Sequence, residues 1–146
     1  MDKLQRVLNS AARVITGTQE FDRGLGQILH DQLHWLDVPD RVLYKLVVTV
    51  HQCLNGRAPP YLSEHCTPVS SADTRRHLCS AANRHLILAV PRFRLNSYGR
   101  RAFSVAGTMA WNSLPDFIRN SVSSTDCFRR LLKTYLFARY WCIRGS

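Results

Sequence analysis

The second half of this sequence is almost without acids. Residues 74–146 hold 13 basic residues and only two acidic ones, Asp116 and Asp126, whereas residues 1–73 hold 7 basic and 8 acidic. No Asp-Asp dipeptide occurs anywhere, so the carboxylate arrangement that holds two metal ions for nucleotidyl transfer is missing. GxSxG and HExxH are absent, and Gly24-Leu25-Gly26 lacks both the third glycine and the preceding strand of a dinucleotide fingerprint. These absences predict a chain that is not an enzyme, with no catalytic residues and no cofactor. Any polymerase or endonuclease activity would belong to a longer parent protein.

Cysteine pairing signals are also missing. Cys53, Cys66, Cys79, Cys127 and Cys142 are odd in number and widely spaced, with no CxxC. His65, Cys66, His77, Cys79 and His85 cluster, but the Cys66–Cys79 separation does not match the tight pairs of structural zinc sites, so no metal is expected. The start, MDKLQRVLNS, has no signal-peptide apolar core, and no apolar run approaches the roughly eighteen residues of a membrane span. The expectation is an intracellular, reduced chain, nuclear or cytoplasmic, with no membrane partner.

What is present is apolar content of 45%, enough for a globular core in 146 residues, and a net charge of +10. The second half carries +11 of it and the first half −1. Only Lys3, Lys45 and Lys133 are lysine; the other 17 basic residues are arginine, whose planar fork suits phosphate. Arg92, Arg94, Arg100 and Arg101 have no acid nearby in sequence and are interleaved with Phe93 and Tyr98. Arg75 and Arg76 support them from the preceding segment. Arginines position a phosphate backbone and aromatics stack unpaired bases, so these six are the candidate nucleic-acid-binding residues. A plain solvated basic face is the competing interpretation.

The periodicity is mostly helical. Leu4, Val7, Leu8, Ala11, Val14 and Ile15 recur at three- and four-residue steps over 2–16, with Asp2 as N-cap and Gly17 as stop. So complete a stripe must dock on something. Residues 24–35 give a shorter helix. Pro39 and Asp40 start a third, running through Val42, Leu46, Val47 and Val50 to Asn55-Gly56. Ala58-Pro59-Pro60 breaks it, with Tyr61 and Leu62 packing back. Residues 63–85 read as a polar linker loop. Leu86, Leu88 and Val90 alternate as in a short strand. Residues 101–112 fit a helix, or a strand as far as Val105. Residues 116–119 fit one turn. Ser123 and Asp126 fit a capping box before Phe128, Leu131, Leu132, Tyr135 and Leu136. The tail Arg139-Tyr140-Trp141 could stack bases or pack on the core. The expected fold is mostly α, a small helical bundle with at most a short β-hairpin near residues 86–105. It divides into a near-neutral helical subdomain (1–62), the linker (63–85) and a basic helical or hairpin subdomain (86–146).

Four segments, in order and covering nearly the whole chain, carry a family resemblance. They are LQRVLNSAARVITGT (4–18), LHWLDVPDRVLYKLVVTVHQCLNGRAPPYLS (33–63), VPRFRLNSYGRRAFSVAGTMAWNSLPDFIR (90–119) and FRRLLKTYLF (128–137). The chain resembles the C-terminal region, downstream of the reverse transcriptase domain, of polyproteins from non-LTR retrotransposons of the chicken-repeat/LINE-2-like group. The resemblance implies a noncatalytic segment that helps hold template RNA or target DNA by the phosphate backbone. It also implies a polymerase thumb, missing here, packed on residues 4–15. The alternative is an orphaned structural fragment or a helical protein-interaction module with no nucleic-acid role.

Overall fold

The computed structural model describes residues 2–19, 24–69, 87–92, 99–120 and 124–144. Among these the chain is helical and has no strand, only an isolated antiparallel bridge between Pro68 and Leu88. Seven α-helices occur in the described residues: α1 (Asp2–Thr16), α2 (Leu25–Gln27), α3 (Val38–Leu54), α4 (Pro60–Ser63), α5 (Phe103–Asn112), α6 (Asp116–Arg119) and α7 (Thr125–Arg144). This is the mostly α fold that the periodicity predicts. The chain forms two compact units, one of Met1–Tyr44 with Leu132–Ser146, the other of Lys45–Leu131. That division follows tertiary contacts and cuts α3 and α7, whereas the division expected from the sequence follows charge and composition.

In the first unit, α1 is followed by α2, which continues into a π-helical segment, Ile28–Gln32. The wider turn closes through the Leu33 N–H to the Ile28 carbonyl at 3.1 Å, and the chain then reverses at His34, whose φ is 50°. The helix thus stops short of the expected Trp35. His34 is exposed at this stop.

The start of α3 is the best-bonded place in this unit. Asp37 is its N-cap, its carbonyl accepting from the Arg41 N–H at 2.9 Å. The next orphan donor, the Val38 N–H, is satisfied from another helix: Gln5 Oε1 on α1 accepts it at 2.9 Å. The Gln5 amide nitrogen donates to Asp37 Oδ1 at 2.9 Å and to Asn9 Oδ1 at 3.0 Å. From α7, the Tyr140 hydroxyl accepts from the Asp37 N–H at 3.2 Å and donates to Asp40 Oδ2. The Tyr140 ring stacks on His30 with centroids 3.8 Å apart. Burial, then the bond to Asp40, pushes the Tyr140 hydroxyl well above the usual tyrosine range. Tyr140 therefore packs within the fold, one of the two uses open to the aromatic tail.

The second unit is built on the later turns of α3. Val47, Val50 and Cys53 are buried with Val105, Trp111, Ile118 and Phe128. Gly107 lets α5 approach α3: a Cβ there would lie 3.1 Å from Val50 Cγ2. Residues 103–112 are helix, which settles the helix-or-strand alternative for Val105. Tyr61 is exposed and does not pack back. α7 begins at Thr125 behind Ser124, whose carbonyl accepts from the Phe128 N–H at 3.0 Å and whose Oγ accepts from the Cys127 N–H at 3.4 Å. The cap is therefore Ser124, one residue later than the capping-box spacing suggests; Ser123 lies outside the described residues. Cys53 and Cys66 are buried free thiols, and burial, followed by Cys53, pushes the Cys66 thiol up to about 12.

His51 sits at the centre of this core, stacked on Phe128 with centroids 4.0 Å apart and planes 10° apart, and near Trp111. Its Nε2 accepts from the Asn55 side-chain nitrogen at 3.3 Å, which leaves the proton on Nδ1, a buried atom with no partner. An imidazolium would set its own Nε2–H against the Asn55 N–H, donor against donor. Burial, and then the Arg57 charge, lower its pKa.

Two tests follow from these caps and cores. Gln5→Ala removes the partner of the Val38 N–H and is expected to cost about 1–2 kcal/mol, read as a lower denaturation midpoint and faster Val38 amide exchange. An unchanged midpoint and exchange rate would mean that the cap contributes nothing. For His51, the unfolded chain takes up a proton near pH 6.5 and the folded chain only at lower pH. Stability is therefore independent of this group above about 6.5 and falls as pH drops from 6.5 toward the lowered folded value. His51→Phe should remove that loss in a pH series of unfolding midpoints, while a slope identical to that of the parent chain would assign the acid sensitivity elsewhere.

Candidate nucleic-acid interface

Of the six candidate arginines, Arg92 and Arg101 are described with their side chains, and both are exposed. Arg100 is described by its backbone alone, in the 3-10 turn Gly99–Arg101. Arg75, Arg76 and Arg94 lie outside the described residues, as do Phe93 and Tyr98.

Arg92 follows a segment anchored around Leu88. Leu88 is fully buried, and Asn112 at the end of α5 bonds both of its backbone groups. The Leu88 N–H donates to Asn112 Oδ1 at 2.9 Å, and Asn112 Nδ2 donates to the Leu88 carbonyl at 2.8 Å. A side-chain amide here imitates a neighbouring strand. Opposite, the Val69 N–H donates to the Ile87 carbonyl at 2.8 Å and the Ala89 N–H to the Thr67 carbonyl at 2.9 Å. Among the described residues, then, the alternation over 86–90 yields one bridge to Pro68. Over residues 87–92 the expected strand is reduced to that bridge, and Asn112 takes the other edge of Leu88.

Arg101 stands at the entrance to α5. The helix begins behind Ala102, which has no side-chain oxygen and makes no capping bond. The positive end of the helix dipole lies beside the arginine.

Several of the described acids are paired with other cations. Asp116 is taken by Arg119 in an i,i+3 pair, and Asp126 by Arg129 at 3.4 Å. Asp40 lies 3.7 Å from Arg139. Arg57 donates to Thr125 Oγ1 at 3.1 Å. Both acids of the second half are engaged on their own helices, and Arg92 and Arg101 make no ion pair among the described residues.

Sequence reasoning missed Asn112, Gln5 and His51. None carries a motif; each is a single polar residue beside an apolar run, visible only through its partner. Among the described residues no group of three His, Cys, Asp or Glu side chains converges to hold a metal ion, and no helix is long and apolar enough to cross a membrane. The chain matches no protein-family model, no curated protein and no solved structure.

Proposed function

We propose that the chain is a noncatalytic segment that binds RNA or DNA through the phosphate backbone, as part of a retrotransposon reverse transcriptase-like protein. The observation that carries this reading is the excess of 13 basic over two acidic residues in 74–146. Both of those acids are consumed by local pairs, and Arg92 and Arg101 are exposed without a counter-ion among the described residues. Arg94, Arg100, Arg75 and Arg76 add to the same charge. Unpaired arginine on an exposed surface favours a polyanion, and counter-ion release drives the association. The family resemblance supports the same reading and supplies its context, a segment downstream of a polymerase.

A second reading has its own observation. Leu4, Val7, Val14 and Ile15 on α1 are exposed, which favours a structural fragment or a helical protein-interaction module whose partner covers residues 4–15. In the context of the resemblance, that cover would be the missing polymerase thumb.

The nucleic-acid reading is tested by titrating labelled single-stranded RNA and duplex DNA with the chain across a salt series. Reversing Arg92 and Arg94 to Glu should weaken binding to all sequences alike and reduce the salt slope by about two. An unchanged slope would remove these arginines from the interface.

A further inference from the structure

α1 is an amphipathic helix held by the wrong face. Ala12 is the one fully buried residue of the helix, and around it Gln5, Leu8, Asn9, Arg13 and Thr16 are half-buried, so the packed face is mostly polar. Its apolar residues point to solvent: Leu4 is 63%, Val7 67%, Val14 84% and Ile15 60% exposed, with Ala11 exposed between them. Steps of three, four and three from Leu4 through Val7 and Ala11 to Val14 make a heptad seam, with Ile15 beside it. At 100° per residue, one edge of the seam meets the packed face at Leu8. The other edge is bounded by Lys3, with Arg6 and Arg13 further round. Lys3 and Arg6 are exposed and make no ion pair among the described residues. Asp2 is the only acid on the helix.

We infer that this stripe is the docking surface for an amphipathic helix of a partner protein, one whose apolar seam is flanked by carboxylates. The inference rests on the interaction-module reading and names its partner. Three features select that partner. The seam period is that of helix against helix, and the small Ala11 at its midpoint admits close approach. The free flank is cationic, so acids on the partner complement it. A second copy offers the same cationic flank on a chain of net charge +10, and α1 has no aromatic residue to anchor it at a lipid interface.

The probes are two synthetic helical peptides with Leu and Ile at the seam positions, one with Glu on both flanks and one with Lys. The full chain should bind the Glu peptide with an affinity that falls as salt rises. Val7→Asp and Val14→Asp should each weaken it by about tenfold or more, and Lys3→Glu with Arg6→Glu should shift the preference to the Lys peptide. Because Val7 and Val14 are exposed, both Asp variants should keep the parent's helical signal. Equal binding of the two peptides would overturn the acidic flank and spare the docking reading; binding of neither would overturn both. Concentration-dependent self-association lost in Val14→Asp would assign the stripe to a second copy. Binding to phosphatidylserine-containing vesicles lost in the same variant would assign it to a lipid surface. Either of these would overturn the proposed partner.

Discussion

The N-terminus of α3 must satisfy its orphan donors, and it does so with a side chain from α1. Gln5 accepts the Val38 N–H and donates to Asp37, so α1 can sit only with the Gln5 face inward. Everything else about α1 follows. Asn9 is drawn to the same amide, Ala12 is small enough to be buried beneath it, and the aliphatic stripe is turned outward. The magnitudes make the arrangement informative. A cap of this kind contributes about 1 kcal/mol, whereas each buried Val, Leu or Ile side chain contributes about 1.5–3. A helix that leaves four such side chains in water forgoes more than its cap returns. That imbalance is the physical ground for the proposed docking surface.

The second unit solves a different problem with similar means. Its core accepts one polar ring, His51, by stacking it on Phe128 and bonding one nitrogen to Asn55; the other nitrogen goes unpartnered, at the expense of its proton affinity. Asn112 holds the buried Leu88 by both backbone groups, four residues before Arg92. Local i,i+3 pairs absorb Asp116 and Asp126. The charge asymmetry visible in the sequence therefore persists on the surface as exposed, unpaired arginine.

The helices were legible because three- and four-residue periodicity reports a helix whatever covers it. α1, α3 and α7 stand where the apolar steps put them, and Asn55-Gly56 ends α3 with Gly56 at φ 65°. Periodicity does not report which face is turned inward. The stripe of α1 was visible, but its exposure depends on a glutamine bonded 33 residues away. The strand expected at 86–90 rested on a short alternation, and over 87–90 it comes to one bridge, at Leu88. Residues 101–112 were ambiguous because Val105, Gly107 and Thr108 are poor helix formers that packing nonetheless holds in a helix. Of the candidate interface, the charge was legible, and Arg92 and Arg101 are exposed with no ion pair among the described residues. Arg75, Arg76 and Arg94 fall outside the described residues.

The central claim is that α1 is docked by its polar shoulder with its aliphatic stripe in water. The most direct measurement is methyl relaxation by nuclear magnetic resonance with an inert soluble gadolinium chelate. The account predicts strong enhancement at Leu4, Val7, Val14 and Ile15, and near-complete protection at the buried Leu132 and Leu136. Protection of Val14 and Ile15 equal to that of Leu136 would contradict it and place the stripe inside the fold.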